Sequence, residues 1–359
     1  KTGHDIQVRY RIDGMMQTMH TLPADVGRAI ISAVKVVGDM DIAEKRRPQD
    51  GTFAVLAEGR KFDVRAASGP TNFGEKIALR LLDAGGGIVK GGLTGLGMRD
   101  SLVQSLRGII HRAHGMLIVC GPTGSGKTTT VYGALSEIDV LTRNIVTIED
   151  PIEYRLDNIS QTAVNNAADL TFAKILRSTL RQDPDVILVG EVRDKETAEI
   201  AMQAALTGHF VFTTLHANDT ATTVTRLLDI GIDATLIQSA VTAVLAQRLV
   251  RLLCPVCKEA YRPPESLLRR LGLPPDKVPV LYKEVGCPEC HGSGFRGRTG
   301  IYELMVFDTE IRNLLVGRPS IEMLRNAARK NGMRTLLRSA LVKACEGVTS
   351  ISEAERVTQ

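Results

Sequence analysis

Residues 116–128 read Met-Leu-Ile-Val-Cys-Gly-Pro-Thr-Gly-Ser-Gly-Lys-Thr, an apolar run ending in Gly121, four intervening residues, then Gly126-Lys127-Thr128. The pattern G-x-x-x-x-G-K-[ST] between an apolar strand and a helix marks a loop that cradles phosphates. Backbone N–H groups of the turn Gly121-Pro122-Thr123-Gly124-Ser125-Gly126, in which Pro122 alone has none, would converge on an anion at a helix N-terminus. Lys127 would reach the β- and γ-phosphates and the Thr128 hydroxyl would hold Mg²⁺, with Thr129 in the same turn. The stretch predicts a nucleoside triphosphate site seated on a buried strand.

Outward from this loop the order is helix, strand, helix, strand. Short apolar strands are expected at 116–120, 144–148, 186–189 and 210–215, with helices at 171–182, 194–206 and 219–230. Alternation of this kind predicts an α/β fold with a parallel sheet and helices on both faces. The strand 186–189 ends in Gly190-Glu191, where a phosphate-loop enzyme places an acid close to Mg²⁺ and the attacking water. An Asp is usual there, and two roles fit Glu191: coordination through water, or general base. Thr147-Ile-Glu149-Asp150-Pro-Ile-Glu153 closes another strand with three acids in five residues. Standing alone it would be a solvated turn; at the end of a strand in this sheet it becomes a nucleotide-side candidate. His209 and His216 flank the strand at 210–215. His216, at its C-terminal end, is a candidate γ-phosphate sensor; His209, at the strand start, is either structural or a second nucleotide-side group.

Cys254-Pro-Val-Cys257 and Cys287-Pro-Glu-Cys290 are two Cys-x-x-Cys knuckles separated by 29 residues. Two thiolate pairs suit tetrahedral Zn²⁺, and four thiolates close the site, so the metal would be structural. The spacing exceeds that of a compact ribbon, which implies an inserted stretch. Cys120 and Cys345 read as core residues.

Composition bounds the rest. The 359 residues are 43% apolar and 24% charged, as in a globular chain of two or three domains. No run reaches the ~18 consecutive apolar residues needed to span a bilayer. Position 1 is Lys, without an initiator Met or a signal-like segment, so a fragment lacking its natural N-terminus is expected. The 45 basic and 40 acidic residues leave a net +5 with no block of like charge, and aromatics are only 4%. That balance permits an acidic ligand or an anionic surface but does not point to nucleic acid. Six cysteines in so long a chain suggest metal in a reducing cytosol before disulfides.

The N-terminal block, 1–84, reads as a small α+β domain: a strand with a turn at Asp13-Gly14, a helix over 24–38, and a hairpin turning at Glu58-Gly59. Residues 85–97 hold seven glycines in thirteen positions and are read as a hinge linker. A nucleotide-binding core over 98–253, a tetracysteine element over 254–300 and a helical subdomain over 301–359 complete the division. On the residues alone, Arg65 and Arg80 are surface charges on a strand and a helix.

Taken in order, the motifs resemble the secretion ATPase superfamily, specifically the type II secretion and type IV pilus assembly ATPases (the GspE/PilB group). The resemblance rests on 8–14, VRYRIDG, 43–51, AEKRRPQDG, and the phosphate loop. It extends through the acidic stretch 148–153, the run 180–194, LRQDPDVILVGEVRD, and 207–216, TGHFVFTTLH. It closes with 247–251, QRLVR, the cysteine pairs, and 294–303, GFRGRTGIYE. It implies a PAS-like N-terminal domain joined to a RecA-like ATPase domain, a homohexamer, and ATP, Mg²⁺ and structural Zn²⁺ as ligands. It implies catalytic roles for Lys127, Glu191 and Glu149, and nucleotide contacts through Asp150, Glu153, His209 and His216. By the same resemblance, Arg65 and Arg80 match arginines that swing towards the phosphates. The segment after Arg65 departs from the family's usual pattern. Retraction ATPases resemble the core but lack the tetracysteine, so extension or secretion is favoured. Expected partners are an inner-membrane platform protein and a cytoplasmic docking protein, with the chain cytoplasmic and peripherally attached to the inner membrane. The alternative on the same core is a hexameric nucleic-acid translocase or DNA-transfer ATPase.

Overall fold

A computed structural model describes residues 5–83, 91–274 and 280–359. The chain divides into two compact units, one of Lys1–Gly87 with Glu153–Arg155, the other of Ile88–Ile152 with Leu156–Gln359.

In the smaller unit, β1 (Asp5–Ile12) and β2 (Met15–Pro23) pair antiparallel through a two-residue turn. Asp13 and Gly14 both take positive φ, 49° and 83°, as a hairpin turn matched to strand twist requires. Helix α1 (Ala24–Val37) buries Ile31 and Lys35. The Lys35 ammonium donates to Glu44 O and Glu75 Oε1, both at 2.6 Å, so its charge is buried with partners. Strands β3 (Gln49–Ala57), β4 (Arg60–Thr71) and β5 (Gly74–Asp83) form an antiparallel sheet in that order. The turn at Glu58-Gly59 is as expected, but β5 was not: Arg80 stands on this strand rather than on a helix. Its register sets Arg80 directly opposite Arg65 of β4.

The larger unit is built on a seven-stranded sheet in the order β14-β11-β6-β10-β9-β7-β8. Its strands are β6 (Gly115–Cys120), β7 (Ile145–Glu149), β8 (Ser160–Ala163), β9 (Val186–Val189), β10 (Phe210–Leu215), β11 (Val241–Leu253) and β14 (Phe295–Val306). All are parallel except β14, which runs antiparallel to β11. Around them pack α2 (Asp100–Ile110), α3 (Lys127–Leu135), α4 (Phe172–Thr179), α5 (Lys195–Leu206), α6 (Thr220–Asp229) and α7 (Ala234–Ala240). The central strands are uniform apolar runs because both faces are covered, and β6, β7, β9 and β10 are buried along their whole length. A small pair, β12 (Glu259–Tyr261) and β13 (Leu281–Lys283), and helix α8 (Glu265–Arg270) lie between the cysteine knuckles. Helices α9 (Thr309–Leu315), α10 (Ile321–Lys330), α11 (Leu336–Cys345) and α12 (Ile351–Thr358) close the chain.

The tetracysteine segment and the tail belong to the same compact unit as the nucleotide core, and β14 runs through residue 300. Of the Gly-rich stretch 85–97, residues 85–90 lie outside the described residues. Residues 91–97 are anchored: Leu93 and Leu96 are buried, the Tyr302 hydroxyl donates to Leu96 O, and Lys343 donates to Gly97 O. Two leucines inside a glycine-rich sequence are enough to dock it on the core. Among the described residues no helix is long and apolar enough to cross a membrane.

Candidate functional site

Parallel register fixes the site. Cys120 pairs with Leu215 of β10 and Ala246 of β11, and Val189 pairs with Ile148 of β7 and Thr213 of β10. The residues that follow these strand ends therefore gather along one sheet edge, where α/β folds bind ligands.

The phosphate loop leaves β6 at Gly121 and enters α3 through Gly126, whose φ of 88° is left-handed. At Gly121 (φ 154°) a Cβ would lie 2.5 Å from Ser125 Oγ and 2.6 Å from Gln247 O, so only glycine fits. Lys127 Nζ donates to Gly121 O at 2.9 Å and Pro122 O at 3.2 Å, holding the ammonium over the loop. Burial lowers its pKa, while the Glu191 carboxylate pulls the other way. Thr128 and Thr129 occupy the half-buried first turn of α3. Ser125 Oγ is buried without a hydrogen-bond partner among the described residues. An orphaned hydroxyl in a cradle closed to any Cβ suits a phosphate ligand. Beside the loop, Pro122, Thr123, His216, Asn218 and Arg226 line part of a cleft of ≈ 530 Å³.

Glu191 is held by its neighbours on three sides. Gly190 N donates to Ile148 O at 2.8 Å, Thr214 Oγ1 donates to Gly190 O at 2.7 Å, and Val192 N donates to Thr214 O at 3.1 Å. A Cβ on residue 190 would sit 3.0 Å from Ile148 O, which explains the glycine before the acid. One Glu191 oxygen takes the Arg193 guanidinium and the other faces His216 Nε2 at 3.7 Å. Arg193 also reaches Asp150 at 3.8 Å, tying the ends of β9 and β7 together. Desolvation lowers the His216 pKa, reinforced by Lys127 and Arg193 and opposed by Glu191, which favours the uncharged imidazole.

Glu149 is differently placed. It is buried, and its carboxylate accepts from the Tyr132 hydroxyl, from Thr147 Oγ1 at 2.5 Å and from Gln161 Nε2 at 3.1 Å. Three neutral donors pin it between α3, β7 and β8. His209 is a correction: β10 begins beside Gly115, so residue 209 sits at the opposite sheet edge from the phosphate loop. Its Nδ1 is 3.0 Å from Ala204 O at the end of α5, a structural contact.

Arg65, Arg80 and Glu153 belong to the smaller unit, where Glu153 faces both guanidinium groups. Gln247 was missed as a site residue. Its side chain donates to Ser125 O at 2.7 Å and bolts the phosphate loop to β11. The motif 247–251 was legible in the sequence, but no local pattern shows that β11 lies beside β6.

The four knuckle thiols converge, all within 4.8 Å of one another. The Cys254–Cys287, Cys257–Cys290 and Cys287–Cys290 sulfurs are 3.9, 3.8 and 3.7 Å apart. A tetrahedron of Zn–S bonds near 2.3 Å has edges of about 3.8 Å, so the set fits zinc. Burial would raise the Cys290 thiol, but backbone N–H groups of Cys287 and Gly294 outweigh it and hold it down to about 6.

Comparison with known proteins identifies the chain's family. The family model for "Type II/IV secretion system protein" matches residues 1–356. The chain is 47% identical over 352 residues to type II secretion system protein E of Pseudomonas aeruginosa, covering 98% of this chain and 70% of that one. It is 44% identical to the type IV pilus assembly ATPase PilB of Thermus thermophilus, over 98% of this chain and 39% of the relative. Among solved structures, the pilus retraction motor PilT with bound ADP aligns at TM-score 0.63, with 27% identity over 99% of this chain and 93% of that one. With a family match along almost its whole length, the chain belongs to the type II/IV secretion system proteins, the ATPases of type II secretion and type IV pilus assembly.

Proposed function

We propose that the chain is a Mg²⁺-dependent ATP hydrolase that works as a homohexamer and drives assembly of a pilus or pseudopilus. The observation carrying this is the convergence of Lys127, Glu191 and His216 at the C-terminal edge of one parallel sheet. Bound Mg²⁺–ATP would supply the phosphoanhydride to be cleaved and a cation to neutralise its charge. The backbone of 121–126 binds the phosphates, Lys127 takes the outer ones, and the Thr128 hydroxyl and Asp150 are the residues that would hold the metal. Glu191 orients and deprotonates the water, with Arg193 fixing its rotamer and His216 reporting on the γ-phosphate. Glu149, pinned by its three donors, positions α3 and β7. By the family resemblance, Arg65 and Arg80 are the arginines that would bring positive charge to the phosphates, as arginine fingers do. The resulting motion acts on an inner-membrane platform protein, with a docking protein holding the motor at the cytoplasmic face.

The test is steady-state ATP hydrolysis as a function of protein concentration, with and without single-stranded DNA. Specific activity that rises with concentration and ignores DNA is expected of sites completed by assembly. Stimulation by DNA that fades with salt would overturn the reading in favour of a translocase.

The cysteine cluster gives a second expectation. The purified chain holds one zinc per protomer, and Cys287→Ser releases it and lowers the melting temperature by about 10 °C or more, given roughly 2–4 °C per kcal/mol in a domain of this size. Zinc analysis and a thermal scan check it; a variant that melts like wild type would remove the structural role.

A further inference from the structure

Gln247 and Arg248 are consecutive residues of β11, so their side chains leave opposite faces of the sheet. Each reaches a different loop at the nucleotide edge. The Gln247 amide donates to Ser125 O of the phosphate loop at 2.7 Å. Arg248 Nη2 donates to Asn218 O at 2.9 Å, with Asn218 Oδ1 at 3.5 Å, two residues after His216. Strand order explains the pairing of lengths. β11 adjoins β6, which feeds the phosphate loop, and lies two strands from β10, which feeds the His216 loop. Two strand spacings are roughly 9–10 Å, a distance for a long fork-ended side chain. The next residue, Asp219, is held separately by capping α6 and pairing with Arg325 of α10. Among the described residues, no other side chain is hydrogen-bonded to Asn218.

As a stabilising device this contact is a poor one. Arg248 Nη1 is buried with no hydrogen-bond partner among the described residues. No carboxylate there comes within ion-pair distance of the guanidinium, and the Asp219 and Glu303 charges act on it from further away. Burial lowers its pKa, and its charge in turn disfavours the Lys127 ammonium. A half-buried cation that donates to a neutral carbonyl beside a second cation destabilises a fold. Local rules are broken in this way at functional sites.

Resting on the ATPase reading above, we propose that Arg248 is a positioning residue that fixes the 216–218 loop, and with it the His216 imidazole, at a set spacing from the phosphate loop. Gln247 holds the phosphate loop and Arg248 the sensor loop, so one dipeptide aligns both against the same strand. Arg248 acts through Asn218 on the group that meets the γ-phosphate.

The experiment compares wild type, Arg248→Met, Arg248→Lys, His216→Ala and the Arg248→Met/His216→Ala double variant. It reads kcat, the Kd of a fluorescent ATP analogue, the melting temperature and backbone hydrogen exchange. Arg248→Met is expected to lower kcat by about tenfold or more, as misplacement of a reacting group does. The Kd stays within about threefold, the scale of one partly exposed charge. The melting temperature does not fall, because an unpaired, half-buried charge has been removed. Exchange across 216–218 speeds up by about tenfold while 121–126 keeps its rate. In the His216→Ala background, Arg248→Met changes kcat by less than about twofold. Arg248→Lys, with one donor nitrogen in place of the fork, recovers part of the lost kcat. An undiminished loss of kcat without His216 overturns the proposal. So does a lowered melting temperature with faster exchange in both loops, which would make Arg248 merely structural. A tenfold weaker Kd at unchanged kcat also overturns it and would make Arg248 a phosphate ligand. Arg248→Gln is the second neutral replacement should the methionine variant not fold. Wild type showing no Lys127-dependent hydrolysis would count against the ATPase reading alone, because the exchange comparison still decides whether Arg248 fixes the loop.

Discussion

Lys127→Ala abolishes ATP turnover, lowering kcat/KM by about 10²–10³-fold or more, as the loss of one preorganised charge-stabilising donor does. The reason lies in its placement. Lys127 opens α3 immediately after the left-handed Gly126, and its ammonium is held over the carbonyls of Gly121 and Pro122. Those carbonyls repel an incoming phosphate, and the ammonium offsets them. Its removal leaves a loop of N–H groups flanked by uncompensated carbonyl dipoles. The fold should survive, because Ser125 O is still bonded to Gln247 and α3 still packs through Val131, Tyr132 and Leu135. A phosphate-release assay with a thermal scan checks both halves. Unimpaired hydrolysis would remove the phosphate loop from the mechanism.

Glu191→Gln separates binding from chemistry. The amide keeps the size of the side chain but can neither take a proton nor balance Arg193, so hydrolysis falls by about 10²–10⁴-fold. Binding of a fluorescent ATP analogue is retained, since the phosphate loop does not depend on Glu191 for its shape. Single-turnover kinetics and the binding isotherm together check this; loss of nucleotide binding would sink the assigned role. Glu149→Gln is the informative contrast. Glu149 accepts from Tyr132, Thr147 and Gln161 in a buried site, and an amide brings N–H donors to a place that offers mainly donors. That mismatch costs stability, about 1–3 kcal/mol, as well as activity. A Glu149→Gln variant of wild-type stability that is catalytically dead would move the general base from Glu191 to Glu149.

Much of the site was legible because its pieces are local. The phosphate loop is a contiguous pattern, and the strands before it, before Glu191 and before His216 are short apolar runs whose ends are marked by glycine or histidine. Parallel strands buried on both faces leave such runs in the sequence, so 186–189 and 210–215 were located without error. The knuckles are legible for the same reason, each being a pair of ligands three residues apart. The strands that escaped notice, β2, β5, β8, β11, β12, β13 and β14, are short, polar or mixed with charged residues and take their identity from the neighbour they pair with.

Sequence by itself determined that this chain carries a phosphate loop on an α/β sheet, acids and a histidine after successive strands, and four thiols in two pairs. Short-range backbone geometry encodes each of these. Only the tertiary structure decided what those residues face. Strand order puts Gln247 behind the phosphate loop, and strand direction sends His209 to the far edge. The Glu149 carboxylate is enclosed by three donors, two of them from neighbouring elements, while Glu191 meets a guanidinium and an imidazole. Register across β4 and β5 sets Arg65 against Arg80, with Glu153 across both. Side chains distant in sequence meet through packing and strand pairing, whose long-range choices no local window of residues records.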